Sequence, residues 1–475
     1  MDGKDVPECP GCRQRDEIIA DLVRRVAMLE ARLNSLLNAL SSNSSIPPSA
    51  NPPGAPAPVQ KKKSTRKPGA QPGHLPHLKQ LLPPERVNEV FVFVPEFCKS
   101  CAAALPRDAD ANDLAPSRHQ VAELPELMAV VTEYQGHCRT CPACGQVTKA
   151  TIPAELRAHS CGPRLAATLS YLAGCHHVSK RGLEEITNDV FGVSMSLGTV
   201  SALEQQMSEA LAAAHEHALE AVRDAPVKHV DETGWKQAGA RRWLWVATTQ
   251  TVAAFLIHSR RNLTALTLLL GESIRGILVS DRWSTYNHLP NDRRQICWAH
   301  LKRDFQKCLD RGDAGAGADV GRDGLKIVRR VFKAWHTFRG GGFDDSGPCS
   351  RDDLVRRFLP IIRDFDRLLE RGRRCASNAA ATFCTNLAEL QEAPWTFLIE
   401  ENVEPTNNHA ERVLRKGVLW RKNAFGCTSE RGCRFVERLL TVVQTLRLQR
   451  RPVLDFLYQS LLAQRTQHPQ PTLIG

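Results

Sequence analysis

From Val227 the sequence runs through three apolar segments in close succession, VKHVDETGW, RRWLWVATT and TVAAFLIHS. A helix-like stretch, RRNLTALTLLLG, and a further apolar run, GILVSD, follow them. Short runs rich in β-branched and aromatic residues, bounded by polar or glycine-containing breaks, read as strands. Three consecutive strands, a helix and another strand commit this region to a mixed α/β core. RQICWAH is expected to supply a fifth strand. Residues 160–222 read as helical, with LEEITNDVFGVSMSLGTVSALEQQMSEAL broken around Gly192 and a second helix opening at Ser196 or Thr199. That pattern suits a helix-turn-helix and equally a plain helical hairpin. The stretch from 301 to about 400 is expected to be largely helical. Leu354, Phe358, Ile361, Phe365 and Leu368 form one apolar stripe there, which Pro360 is expected to bend or interrupt. Helix returns from Asn408 through LRLQRR.

Asp231 closes one of these strands and Asp281 another. Acidic residues at strand ends can face a shared cleft without burying charge inside the sheet. If the two strands are neighbours, both carboxylates can ligate one Mg²⁺, which prefers oxygen donors. A third carboxylate, Glu411 in TNNHAERVLRKG, shares a helix face with Asn407, Asn408 and Arg415. It sits among Arg412, Arg415, Lys416, Arg421 and Lys422, a setting that suits metal and phosphate together. On pattern alone Glu232, Asp292 and Glu404 compete with these three, because acids at strand ends also serve as turn formers and caps. His300, in CWAHLKRDF, reads as a structural histidine beside the cleft.

The N-terminal part has a different character. Residues 15–41 carry Ile19, Leu22, Val26, Leu29, Leu33, Leu36 and Leu40 at alternating steps of three and four, the seam of a coiled coil and of a homo-oligomer. SSNSSIPPSANPPGAPAPVQ is too polar and proline-rich for a core and reads as linker. KKKSTRK follows, and Lys61, Lys62, Lys63, Arg66 and Lys67 are expected to contact DNA phosphates. Between 86 and 150, alternation such as Val90, Val92 and Val94 suggests a small β-rich module. It holds a CxxC pair at Cys98 and Cys101 and overlapping pairs at Cys138, Cys141 and Cys144. Two separated CxxC pairs can wrap one tetrahedral Zn²⁺. Cys9 and Cys12 have no second pair nearby and read as free thiols. The formal net charge of +12 favours an acidic partner, nucleic acid first. No secretory pattern and no membrane-length apolar run is seen, so a soluble, cytoplasmic protein without membrane contact is expected.

VDETGW, SDRWSTYNHLP, ICWAHLKRDF, EPTNNHAERVLRKGVLWRKNAFGCTSERG and RFVERLLTVVQT together resemble the bacterial insertion sequence 66 family of transposases, of the DDE type. CPGC before a leucine-rich helix, LSSNSSIPPS, RKPGAQPGH and the CPACG knuckle resemble the same family in the same order. The resemblance implies an α/β, ribonuclease H-like catalytic core with a helical insertion, an N-terminal coiled coil and a small zinc-binding module. It implies Asp231, Asp281 and Glu411 as the catalytic ligands of Mg²⁺ or Mn²⁺, with 130 residues separating the last two. Cys98, Cys101, Cys141 and Cys144 become the expected zinc ligands, because CPACG looks most like the family's knuckle; Cys138 is surplus and His137 a weaker alternative. Arg415, Arg421 and Lys422 are the expected phosphate contacts near the cleft. The implied activity is metal-dependent cleavage of double-stranded DNA at transposon ends, followed by strand transfer into target DNA. The accessory proteins of the same element are further partners. A processing nuclease of this fold, or an inactive DNA-binding regulator, are the alternatives.

The expected organisation is then a CxxC and coiled-coil helix over 1–41, a basic linker over 42–85 and a zinc-finger-like module over 86–150. A helical segment, the helix-turn-helix candidate, covers 151–222. The first part of the core covers 223–300, a helical insertion 301–400, and the second part of the core with the catalytic glutamate 401–475.

Overall fold

The computed structural model describes residues 18–23, 25–26 and 80–474, apart from 109, 111–113, 311–314, 341–349 and 391. Cys9, Cys12, Leu29, Leu33, Leu36, Leu40 and the basic run 61–67 lie outside the described residues. A two-stranded hairpin, β1 (Cys138–Thr140) and β2 (Val147–Lys149), encloses the second cysteine knuckle. Val90, Val92 and Val94 form no strand: they are exposed and lie in chain without regular secondary structure. Alternation by itself cannot make a strand when no partner edge is within reach.

After a one-turn helix at Ala154–Arg157 come four longer helices: α1 (Pro163–His176), α2 (Lys180–Asp189), α3 (Leu197–Ala210) and α4 (Ala212–Asp224). Ser179 and Ser196 cap α2 and α3, their hydroxyls accepting from the amides of Gly182 and Thr199. Gly192, at φ +66°, turns the chain between them. α3 contains no lysine or arginine, and its Glu204 pairs with Lys180 of α2 at 2.7 Å. A helix of that charge is poorly suited to enter a groove lined by phosphates.

The central sheet contains β3 (Val227–Gln237), β4 (Ala240–Thr248), β5 (Ala253–His258), β6 (Ile277–Ser280) and β7 (Arg294–Ile296) in the order β5-β4-β3-β6-β7. β3, β4 and β5 pair antiparallel, whereas β6 and β7 run parallel to β3. Ala238 and Gly239 both take positive φ in the two-residue β3–β4 loop, which matches the sheet twist. α5 (Leu263–Leu270) makes the crossover from β5 to β6. Along β6, Leu278 belongs to one hydrophobic core and Ile277 and Val279 to another. The second core is built by α6 (Trp298–Asp310), α7 (Ala316–Phe338), α8 (Arg351–Arg373) and α9 (Asn378–Ala388). α8 runs unbroken through Pro360, which is exposed. On the solvent face, water can satisfy the carbonyl that proline leaves without an amide.

Three helices complete the chain: α10 (Asn408–Ala424), α11 (Glu430–Leu448) and α12 (Val453–Thr466). α11 seals the open edge of β5, one side chain per turn. Glu437 Oε1 accepts from the Ile257 amide at 2.6 Å, Thr441 Oγ1 from Phe255 at 2.9 Å and Thr445 Oγ1 from Ala253 at 3.0 Å. Covering an edge this way leaves no unpaired row of amides. At the other edge, Gln295 of β7 donates to the Pro394 carbonyl at 3.2 Å and accepts from the Phe397 amide at 2.8 Å.

Burial drives the pKa of Glu437 from the usual 4.5 up to about 7. The folded protein therefore binds this proton more tightly than the unfolded chain. The associated stability is fully present below the unfolded pKa and is lost as pH rises through about 7. Glu437→Gln keeps an oxygen for the Ile257 amide but carries no charge. It is expected to melt several degrees above the parent at pH 8, with the gain vanishing near pH 5. Thermal denaturation at the two pH values checks this; an equal difference at both would contradict it.

Candidate active site

The parallel pairing of β3 with β6 matches Val227 to Ile277 and His229 to Val279. Following both strands two residues further sets Asp231 beside Asp281, at the carboxyl end of the parallel pair, where α/β sheets open a crevice. Glu411 arrives from the first turn of α10. The residue that seats it is Asn407, which is fully buried. Asn407 donates from Nδ2 to the Val230 carbonyl at 2.7 Å, its Oδ1 meets His229 Nδ1 at 3.1 Å, and its amide donates to Cys297 Sγ at 3.1 Å. One side chain thus ties the start of α10 to the strand carrying Asp231 and to the start of α6.

Asp231 is partly exposed at the cleft yet hemmed in by protein. Burial pushes its carboxyl pKa well above the usual range, and Glu232, Glu411 and Asp281 push the same way. Its Oδ1 accepts from the Glu232 amide at 2.9 Å. Asp281 Oδ1 accepts from the Trp283 amide at 2.9 Å, and its Oδ2 lies 3.6 Å from Arg261. Glu411 Oε1 has Arg303 at 3.5 Å and His300 Nδ1 at 3.6 Å. Cys297, His300 and Glu411 are the group of donor residues gathered within 4.8 Å among the described residues. Burial pushes the Cys297 thiol up to about 12, so it stays protonated and serves as the acceptor for Asn407.

The rival acids are occupied elsewhere. Glu232 is tied to Arg261 by a short ion pair and accepts from Tyr286 Oη at 3.1 Å. Burial raises its pKa to about 6 against the pull of Arg261. Arg261 itself stacks over Trp283 with its guanidinium carbon 4.1 Å from the ring centre. Asp292 lies in the turn Asn291–Arg293, on a groove shared with Ile362 and Trp395. Glu404 faces Arg339 at 3.9 Å. Arg261, Arg303 and Asn407 have no motif role on sequence grounds. Asn407 carried one signal, its place on the helix face of Glu411.

The sequence model of the transposase IS66 family matches residues 159–435, more than half of the chain. The chain belongs to the transposase IS66 family. Asp231, Asp281 and Glu411 fall inside the matched IS66 region, whereas the cysteine knuckles and the basic run precede it. A relative, the uncharacterized protein y4qI of Sinorhizobium fredii, is 24% identical over 243 residues, covering 46% of this chain and 43% of that protein. The match therefore spans less than half of that relative's length.

Of the basic residues expected near the cleft of this IS66 family member, Arg415 and Lys422 are exposed on α10. Arg421 is turned inward, donating to the Gly234 carbonyl and to Thr233 Oγ1, and so pins the end of α10 to β3. The two cysteine knuckles have the same turn: the Ala102 amide donates to the Cys98 carbonyl and the Gly145 amide to the Cys141 carbonyl, each at 2.9 Å. Backbone amides of Ser100 and Cys101 lower the Cys98 pKa, and those of Cys144 and Ala143 lower that of Cys141. The four thiols of Cys98, Cys101, Cys141 and Cys144 are not among the donors gathered within 4.8 Å. No helix among the described residues is long and apolar enough to cross a membrane.

Proposed function

We propose that this chain is a DDE transposase that cleaves DNA at the ends of its element and joins them to target DNA, with Asp231, Asp281 and Glu411 as the metal ligands. The observation that carries this reading is the parallel β3–β6 register, which sets Asp231 beside Asp281, together with the Asn407–Val230 hydrogen bond that ties the first turn of α10, and Glu411 with it, to the same strand. The strand order and directions support a ribonuclease H-like core, with α6 to α9 as the insertion. An all-oxygen donor set suits Mg²⁺ or Mn²⁺. When bound, such ions supply the charge that activates an oxygen nucleophile and offsets charge on the phosphate.

The chain's own groups do the rest. Asn407 and Arg421 fix α10 against β3. Arg415 and Lys422, with the run Lys61, Lys62, Lys63, Arg66 and Lys67, offer cations to phosphate oxygens. Water attack at the element end breaks the P–O3′ bond and frees a 3′-hydroxyl. That hydroxyl then attacks a target phosphodiester and displaces the target's 3′-oxygen, with the protons passing to solvent. Ile19, Leu22 and Val26 are about half exposed in the single chain, which supports self-association through this seam.

The test is incubation of the purified chain with labelled ends of its own element, a plasmid target and Mg²⁺. Joined products are expected. Nicks without joining would make it a processing nuclease, and a gel shift alone a regulator.

Cys98, Cys101, Cys141 and Cys144 are proposed to share one zinc, supported by two matching knuckles in which backbone amides lower the pKa of the first thiol. Metal binding would draw the knuckles together. Elemental analysis is expected to give one zinc per chain, lost in Cys101→Ser and in Cys144→Ser. Zinc-free protein purified without chelators would overturn the assignment.

A further inference from the structure

We propose that His300 is a further ligand at this site, binding through Nδ1 the divalent ion that Glu411 holds. The inference rests on the reading of Asp231, Asp281 and Glu411 as a metal cluster. His300 lies in the first turn of α6, a different element from those that carry the three carboxylates. Its Nδ1 is buried and has no hydrogen-bond partner, an expensive state for a polar atom. The atom is not aimed at apolar surroundings. It lies 3.6 Å from Glu411 Oε1, and the charges of Asp281 and Asp304 also act on the ring. That separation is too long for a hydrogen bond. It suits two donors on one ion, since ligand atoms each about 2.1 Å from a metal lie roughly 3–4 Å apart.

The neighbouring groups leave this role to His300. Cys297 Sγ already accepts from the Asn407 amide. His409 Nε2 lies 2.6 Å from the Thr249 carbonyl. His229 is held through Nδ1 by Asn407 and its Nε2 is also without a partner, but among the described residues it is His300, not His229, that is gathered within 4.8 Å of Glu411. Arg303, on the same face of α6, holds the same oxygen of Glu411 at 3.5 Å and must yield it as the ion arrives. An imidazole nitrogen beside carboxylate oxygens shifts preference from Mg²⁺ towards Mn²⁺ and the later divalent metals. His300 therefore affects the choice of ion more than the electrostatic attraction of the site.

The test uses Mn²⁺ alone as the probe and the full chain with its cysteine knuckles zinc-loaded. Mn²⁺ bound to the wild type is expected to show imidazole-nitrogen coupling in pulsed electron paramagnetic resonance. His300→Gln is expected to lose that coupling and to bind Mn²⁺ about tenfold more weakly, with Mg²⁺ affinity less affected. Melting curves in chelator check that the variant folds. If it does not, His300→Asn replaces it, and the wild-type spectrum remains decisive. Absence of nitrogen coupling in the wild type, or its persistence in His300→Gln, overturns the role of His300. If Asp231→Asn still abolishes Mn²⁺ binding in that case, the carboxylate cluster stands without the histidine. Mn²⁺ binding that survives both Asp231→Asn and Glu411→Gln overturns the cluster and the histidine together.

Discussion

Asp231→Asn is expected to lower strand cleavage by several orders of magnitude while leaving the fold at least as stable as the parent. The two effects have one cause. In the metal-free chain the Asp231 carboxylate is disfavoured by burial first, then by Glu232, Glu411 and Asp281. Its folded pKa is raised, so the stability it contributes is present below the unfolded pKa and lost as pH rises through the folded one. The ionised form is thus a strained group, held for use rather than for folding. The amide of Asn keeps an oxygen for the Glu232 N–H, now 2.9 Å from Oδ1, and removes the repulsion. It also removes the charge on which divalent-ion binding depends, and with it both nucleophile activation and charge stabilisation. Thermal melts in chelator and in Mg²⁺ separate the terms. The parent should be stabilised by Mg²⁺ and the variant should not. A variant that melts below the parent in chelator would contradict the account of strain.

Gly276→Ala is expected to cost several kcal/mol of stability, a large share of the roughly 5–15 kcal/mol available to a folded domain. Gly276 has φ +67°, and a Cβ there would lie 2.3 Å from the Pro226 carbonyl oxygen. The clash is with backbone, which cannot swing aside. The same carbonyl accepts from the Ile277 amide at 2.8 Å, the bond that starts the β3–β6 pairing. Losing it disturbs the register that sets Asp231 beside Asp281. Gly239 is the control: its φ is +79°, but an added Cβ would meet nothing within 4 Å. Gly239→Ala should cost only about 1 kcal/mol, the backbone penalty alone. Denaturant midpoints of the two variants make the comparison, and equal losses would mean that the backbone clash contributes nothing.

The sheet was legible because its strands announce themselves as separate apolar runs; four fall along those runs, and of RQICWAH only Arg294–Ile296 is strand, its last three residues opening α6. Ile277 and Val279 against Leu278 show why: a strand covered on both faces needs apolar residues at every position. Local pattern failed where the partner decides. Val90, Val92 and Val94 alternate like a strand but have no strand partner among the described residues. Pro360 is a helix breaker by propensity, and only its exposure lets α8 continue through it. The candidate site was legible as motifs, not as geometry. Nothing local in TNNHAERVLRKG reveals that Asn407 reaches Val230, 177 positions away. Arg421 reads as a phosphate contact among other cations, yet it spends its guanidinium on Gly234 and Thr233. Both facts follow from packing α10 on β3, which no spacing within the helix can encode.

The most direct measurement is nicking of labelled element ends in Mg²⁺ by a panel of single variants, with a gel shift in parallel. Asp231→Asn, Asp281→Asn and Glu411→Gln are expected to lose nicking and keep end binding. Glu232→Gln and Glu404→Gln should cost much less, since Glu232 is held by Arg261 and Tyr286 and Glu404 faces Arg339. Robust nicking by Glu411→Gln, or nicking lost in Glu404→Gln instead, would contradict the proposal that Asp231, Asp281 and Glu411 act as one site.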